Sequence, residues 1–274
     1  MFTLNCSGNM LVVDKPVVMG IINTTPDSFF SDSRVAGDAV VKQAAHMLQL
    51  GAGIIDIGGQ STRPGSTRIS EQEEISRVVP AIEAILREFP GTVISIDTYQ
   101  SAVAGAAVEA GASIVNDISS GDMDPQMIGT VAALKVPYIC MHMQGTPGTM
   151  QQEPVYADVT REVLDYFIRK IDVCRRAGIH DLILDPGIGF GKTAAHNFEL
   201  IRNLEVFSKT GIPVLLGVSR KSVVYRSLGI AAEEALNGTT VLNTMALMNG
   251  AMILRVHDVK EAVEAVKLHE LYKG

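Results

Sequence analysis

The sequence predicts an α/β protein whose eight strands close into a parallel (β/α)8 barrel, and three observations predict it. Eight short apolar runs recur along the 274 residues, and each ends in polar residues able to hold a ligand. A stretch with helical signals follows each run. No Gly/Ser/Pro linker or charge block divides the chain, so residues 1–274 read as one domain. Buried parallel strands appear as continuous apolar runs because both faces are covered. In a closed TIM barrel all eight strand ends open onto one face, where active sites sit. A doubly wound open sheet would show the same alternation, but eight regular units favour closure.

Residues 2–14 read as a β-hairpin turning at Gly8-Asn9, placed to plug the N-terminal end of the barrel. Run 17–22 ends at Asn23, and run 54–57 leads into Gly58-Gly59-Gln60-Ser61-Thr62-Arg63. Run 93–96 ends at Asp97, run 113–115 at Asn116-Asp117, run 138–141 at His142, and run 182–184 at Asp185. Run 214–218 ends at Ser219-Arg220-Lys221-Ser222, and run 252–254 at Arg255-Val256-His257. Between runs, apolar residues recur at helical spacing. Val41, Ala44, Ala45 and Leu48 form one stripe up to Gly51. Ile75, Val78, Val79, Ile82, Ile85 and Leu86 form a second, opened by a capping box at Ser70–Glu73 and closed by Pro90-Gly91. Val159, Val163, Phe167, Ile171 and Cys174 form a third, ending at Gly178. The segments 23–35, 58–69 and 143–154 are long and rich in Gly, Pro, Ser and Thr, as loops that bind or close over a ligand are.

A formal net charge of −7 argues against a nucleic-acid surface, which needs a basic stripe. No apolar stretch is long enough to span a bilayer, and the first residues lack the basic and apolar regions of a signal peptide. The three cysteines, Cys6, Cys140 and Cys174, are odd in number and widely spaced. Cys140 and Cys174 lie in apolar segments and read as buried thiols, which suits a cytoplasmic protein.

The polar strand ends carry the chemistry. Asp97, Asn116 and Asp185 have no ion-pair partner nearby in sequence and together can grip a donor-rich heterocycle such as an aminopyrimidinone. Asp97 could instead cap a helix starting near Gln100, whereas Pro186-Gly187 disfavours that role for Asp185. The stretch Asp185–Thr193 looks like a phosphate loop but is not one. Pro186 stands where the Walker pattern needs Gly, and Lys192 where the dinucleotide fingerprint needs Gly. It presents Phe190 as a flat apolar surface. Ser219–Ser222 reads as a helix cap and first turn, where free N–H groups and Lys221 favour an anion. Arg255 and His257 alternate and face the same mouth, with Val256 pointing away, or else pair structurally with Asp258 or Glu261. His142 lacks metal-ligand spacing, and neither a zinc cluster nor a Ser or Cys nucleophile motif is seen.

Four segments together carry a resemblance: Asn23-Thr24-Thr25-Pro26-Asp27-Ser28-Phe29, Gly58–Gly65, Asp185–Lys192 and Arg255-Val256-His257-Asp258. The chain resembles the dihydropteroate synthase family of pterin-binding barrels over essentially its whole length. The resemblance implies a transferase of folate biosynthesis and a sulfonamide target. It would join 6-hydroxymethyl-7,8-dihydropterin diphosphate to 4-aminobenzoate, releasing pyrophosphate and 7,8-dihydropteroate. It places Asp97, Asn116, Asp185 and Lys221 on the pterin. It gives Asn23 to a magnesium ion, and gives Asn23, Thr62, Arg255 and His257 to the diphosphate. Thr62, Arg63, Pro64, Phe29, Phe190, Lys221 and Ser222 fall to the aminobenzoate pocket. Asp97, Asp185, Lys221, Arg63 and Asp27 are the catalytic set. The same resemblance implies early C–O cleavage to a resonance-stabilised pterin cation, and a homodimer. Two departures stand out: Gln60 replaces a common Glu, and Phe29-Phe30-Ser31-Asp32-Ser33-Arg34 is one residue longer than the family's first loop.

The rival readings are a pterin-dependent corrinoid methyltransferase and a non-catalytic pterin- or phosphate-binding barrel. The first has no use for Arg63, Arg255 and His257. The second does not require intact closing loops.

Overall fold

Alternate residues of each strand face two different cores, and this sorts the whole molecule. The computed structural model describes residues 1–24, 33–61, 68–150 and 154–274, with backbone alone over 33–37. An antiparallel pair, β1 (Phe2–Cys6) and β2 (Asn9–Val13), precedes the barrel strands. These are β3 (Val17–Asn23), β4 (Ile54–Gly58), β5 (Ile94–Asp97), β6 (Ile114–Asp117), β7 (Tyr138–Met141), β8 (Leu182–Asp185), β9 (Leu215–Leu216) and β10 (Ile253–Val256). Neighbouring strands pair in parallel in the order β8-β7-β6-β5-β4-β3-β10-β9. A parallel bridge between Leu184 and Val214 joins the two ends and closes the barrel.

Helices α1 (Ser33–Gln49), α2 (Glu71–Glu88), α3 (Ser101–Glu109), α4 (Met127–Leu134) and α5 (Val159–Ala177) follow β3 to β7 in turn. Then come α6 (Ala194–Arg202) and α7 (Leu204–Ser208) after β8, α8 (Ser222–Leu228) and α9 (Leu236–Met248) after β9, and α10 (Val259–Lys273) after β10. The outward residues of the strands, among them Val18, Ile22, Ile55, Ile57, Val115, Cys140, Leu184 and Val256, meet the apolar stripes of the helices in one continuous core. In α5 the five residues of the expected stripe are all buried, and Gly178 ends the helix in a left-handed conformation. In α2 the N-cap Ser70 accepts from the Glu73 N–H, but the Glu73 carboxylate turns to Arg77 instead of completing the box. In α1 the buried line is Val40, Ala44 and Met47, with Val41, Ala45 and Leu48 on its flank. Gly20 lets this helix in: a Cβ there would lie 2.7 Å from Met47 Sδ and 3.2 Å from Val259.

The inward residues at the N-terminal end form a separate core: Met19, Ile54, Ile114, Ile139, Ile183, Leu215 and Ile253. Leu4, Cys6 and Val13 of the hairpin pack into it, so the hairpin plugs the barrel as its sequence position suggests. Its turn lies one residue earlier than the sequence suggests. Ser7 and Gly8 are both left-handed (φ 53° and 90°), the geometry of a two-residue hairpin loop that follows strand twist. Asn5 holds this turn by accepting from the Gly8 N–H at 2.8 Å.

Leu4 is buried between hairpin and barrel floor, so Leu4→Ala leaves a cavity that neither element can collapse into. The variant should lose about 2–5 kcal/mol of unfolding free energy. Urea titration checks this, and an unchanged midpoint would mean the hairpin does not contribute to the barrel core.

Candidate active site at the barrel mouth

Above the apolar floor, the inward positions become polar. The β3 to β6 pairings set Asn23 beside Gly58, Gly58 beside Asp97, and Asp97 beside Asn116. One layer lower, Asp56 pairs with Ser95. Asp56 sits in the middle of the run 54–57, which reads as an apolar strand. Its inward parity relative to Ile55 and Ile57 was the only sequence signal for it.

Arg255 spans the mouth from β10. Its Nε donates to Asp56 Oδ2 at 2.6 Å and its Nη2 to Asp97 Oδ2 at 2.5 Å. Asn116 Nδ2 reaches the Asp56 carboxylate at 3.3 Å. The partner expected for Arg255 from its neighbours, Asp258, is taken by Arg220 through two bonds of 2.9 and 2.7 Å. Asp97 therefore has an ion-pair partner, one that lies 158 residues away and could not be read locally. It does not cap α3 either: Thr98 Oγ1 accepts from Gln100 N–H, and Asp124 accepts from Ser101 N–H. Asp97 Oδ1 is buried and has no hydrogen-bond partner among the described residues.

Across the mouth, Asp185 Oδ1 accepts from the Gly187 N–H at 2.7 Å. The loop 186–192 then folds against the end of β7. A Cβ on Gly187 would lie 1.9 Å from His142 O, and one on Gly191 2.4 Å from Gln144 O. Both glycines are left-handed, so the close approach and the turn each exclude a side chain. Lys192 is buried and donates to His142 O (3.2 Å) and Phe190 O (2.9 Å), and its Nζ lies 3.0 Å from His142 Nδ1. Lys221 Nζ donates to Ile188 O at 2.8 Å and lies 4.7 Å from the Phe190 ring centroid, a cation–π contact. Lys221 is itself the N-cap of α8, with no side-chain capping bond, so the helix starts at Ser222 and not at Ser219. Ser219 Oγ instead accepts from the His257 N–H at 3.1 Å and lies 3.0 Å from His257 Nδ1. Behind the site, Tyr99, Ile118 and Met141 form a small apolar cluster with Met123, Met143 and Phe190.

Three carboxylates, Asp56, Asp97 and Asp185, thus share the mouth with three cations, Arg255, Lys221 and Lys192. Burial pushes the Asp97 carboxyl up to about 7 against the pull of Arg255. Burial also raises the Asp185 carboxyl, with Lys221 the chief counterweight. Desolvation brings the half-buried Lys221 down to about 8 and Lys192 down to about 7, and Asp185 pulls both back. Burial likewise disfavours the Arg255 charge, but Asp56 and Asp97 outweigh it and hold the guanidinium charged. Groups poised this close to neutrality change charge state readily when a ligand brings charge of its own.

The structure brings Asn23, Asp97, Asn116, Asp185, Lys221, Ser222, Phe190, Arg255 and His257 to one face. Asp27, Phe29, Thr62, Arg63 and Pro64 lie outside the described residues. Sequence reasoning missed Asp56 and gave no task to Lys192. Gln60 has local partners: its Nε2 donates to Tyr99 Oη while its Oε1 accepts from the Ile69 N–H. Among the described residues, no group of three His, Cys, Asp or Glu is placed to hold a metal ion.

His142 should be visible in acid stability. An unfolded imidazole takes a proton near 6.5, whereas burial and the nearby Lys192 hold the folded one neutral down to about 2. The stabilisation is complete above pH 6.5 and is lost as pH falls below it. Going from pH 7 to 5 it should cost about 2 kcal/mol. Urea melts across this window should fall less steeply for His142→Gln, and equal slopes would place the titration elsewhere.

The family model for pterin binding enzymes matches residues 19–257. A dihydropteroate synthase of Escherichia coli K12 is 45% identical over 271 residues, covering 97% of this chain and 95% of that protein. A Yersinia pestis dihydropteroate synthase, solved in complex with a sulfonamide drug, superposes with a TM-score of 0.93 at 41% identity, covering 99% of both chains. A Xanthomonas albilineans dihydropteroate synthase in complex with 7,8-dihydropteroate superposes at 0.89 and 35% identity, covering 100% of this chain and 99% of that one. Similarity over the full length, together with a closed barrel whose mouth gathers Asp97, Asn116, Asp185, Lys221 and Arg255, leads to one conclusion: the chain belongs to the dihydropteroate synthase family of pterin-binding enzymes.

Proposed function

We propose that this enzyme joins 6-hydroxymethyl-7,8-dihydropterin diphosphate to 4-aminobenzoate, forming 7,8-dihydropteroate and pyrophosphate. The observation that carries the assignment of roles is the orphaned Asp97 Oδ1, a buried acceptor at the mouth with no donor among the described residues. Aminopyrimidinone N–H groups supply such donors. Asp97 and Asp185 accept from the ring, Asn116 offers both donor and acceptor, and Lys221 serves the ring's acceptors. A developing pterin cation is stabilised by the same carboxylates.

The leaving diphosphate needs the opposite sign. Arg255 uses two of its five N–H donors on Asp56 and Asp97, and His257 lies beside it, so both serve the phosphate oxygens with Thr62. The C–O bond to the diphosphate breaks, the aminobenzoate nitrogen bonds to the exposed methylene carbon, and that nitrogen gives up a proton. Asp27 and Arg63 complete the catalytic set on the closing loops, which keep water from the cation. Phe190, Ser222, Lys221, Phe29 and the Thr62-Arg63-Pro64 segment border the aminobenzoate.

The donors present suit magnesium. A Cβ on Gly58 would lie 3.7 Å from both Asn23 Oδ1 and Asp97 Oδ2, so the glycine leaves these two oxygens room at the mouth. Magnesium keeps several waters and takes few protein ligands beside substrate phosphates, so a single amide oxygen from Asn23 is enough. Bound there, it would neutralise charge on the diphosphate oxygens.

Incubation with the pterin diphosphate, magnesium and 4-aminobenzoate should release pyrophosphate and 7,8-dihydropteroate in equal amounts. Asp185→Asn should weaken pterin binding by about tenfold or more, since charge-assisted bonds in a dry pocket are worth about 1.5–3 kcal/mol. Calorimetry decides; unchanged affinity removes Asp185 from the pterin site.

We further infer a homodimer and a reducing, cytoplasmic setting. Val241, Met245 and Met248 on α9 and Leu268, Leu271 and Tyr272 on α10 form two exposed apolar rows on packed neighbouring helices. Cys140 and Cys174 remain free thiols with their sulfurs 3.9 Å apart, which suits a reducing compartment. Met245→Glu combined with Leu271→Glu should sediment as a monomer where the parent sediments as a dimer. A double variant that stays dimeric puts the interface on another face.

A further inference from the structure

The buried cation that the proposed reaction leaves without a task is Lys192. It lies at the end of the loop that carries Asp185 and Phe190, and its contacts join that loop to the end of β7. Among the described residues three acceptors surround Nζ: His142 Nδ1 at 3.0 Å, His142 O at 3.2 Å and Phe190 O at 2.9 Å. An ammonium has three N–H donors, so the charged form saturates this cage. Only 3% of Lys192 is exposed, and among the described residues no carboxylate bonds to it directly. A buried cation of this kind is costly unless its charge acts on something nearby. Among the described residues, the acid whose charge acts on it is Asp185.

We propose that Lys192 is a positioning residue. It clamps the 186–192 loop onto the end of β7, which holds Phe190 in place, and it adds its charge to those of Lys221 and Arg255 beside the Asp185 carboxylate that meets the pterin ring. This rests on the reading of Asp185 as a pterin acceptor. The charged groups facing Asp185 are Lys221 at the start of α8, Arg255 from β10 and Lys192 itself. His142 on the β7 side donates its backbone N–H to Asp185 O and stays neutral over the working range. Lys221 and Arg255 also serve Asp97. Lys221 also bonds this loop, at Ile188 O, from the start of α8, whereas Lys192 bonds the end of β7 from within the loop itself.

The test compares Lys192→Met, which keeps the aliphatic stem without the charge, Lys192→Arg, which keeps the charge, and His142→Gln, which keeps the cation and an acceptor beside it. Affinity for a pterin analogue is measured by calorimetry from pH 5 to 9 on variants shown by circular dichroism to be folded. In Lys192→Met the acid limb of binding should move toward higher pH, with binding weakened by up to about tenfold inside the displaced window and unchanged above it. Lys192→Arg should restore the limb, and His142→Gln should leave it in place. Uniform weakening at every pH in Lys192→Met would reduce Lys192 to a structural clamp and overturn the electrostatic part. Unchanged binding overturns the proposal whole. If Lys192→Met does not fold, the Lys192→Arg profile still decides, because a charge-based role keeps the parental limb and a packing role does not. Asp185→Asn is run alongside: if it binds the analogue as the parent does, the assignment of Asp185 fails, independently of Lys192.

Discussion

The mouth of this barrel depends on one guanidinium. Arg255 is the residue through which Asp56 and Asp97, on two adjacent strands, occupy a water-poor layer together. Buried carboxylates are tolerated only when paired, and removing one partner from such a group leaves an uncompensated charge that costs far more than the pair contributes. The bridging cation thus does two things at once. It lets the lower layer change from the apolar floor of Ile54 and Ile114 to the acidic shelf above, and it fixes the orientation of Asp97.

The two acidic walls are built on different principles. The Asp97 side is held by strand register and by Arg255, so its geometry follows from the sheet. The Asp185 side is held by a loop, and a loop needs its own fastening. Gly187 and Gly191 remove the side chains that would push it off β7, and Lys192 ties its carbonyls to His142. A ligand meeting both walls is therefore gripped by one rigid and one clamped surface. The flat Phe190 ring, stacked against Lys221, closes the space between them.

Charge balance explains why this site suits a reaction that separates charge. Burial draws Asp97 and Lys192 to about 7 and Lys221 to about 8, against the mutual attraction of the opposite charges at the mouth. On the proposed assignment a diphosphate would bring negative charge to the Arg255 and His257 edge, while a pterin that loses it would turn positive beside Asp97 and Asp185. The protein presents both signs before the substrate arrives, so little reorganisation is required at the moment of bond breaking.

Much of this could be read in the chain itself. The eight apolar runs ending in polar residues determined the barrel and its active face, because continuous burial of parallel strands leaves a one-dimensional signature. The hairpin plug and the stripe of α5 were equally plain. What the tertiary structure alone decided was pairing. Arg255 joins Asp56 and Asp97 across 199 and 158 residues, and Arg220, not Arg255, takes the neighbouring Asp258. Asp56 was hidden inside an apolar run because only closure of the barrel makes its inward parity a site position. Lys192 looked like a flaw in a phosphate-loop pattern until the fold set His142 beside it, fifty residues away in sequence. Local periodicity carries which face a residue takes; the partner it meets there is set by which strands become neighbours, and only the closed sheet fixes that.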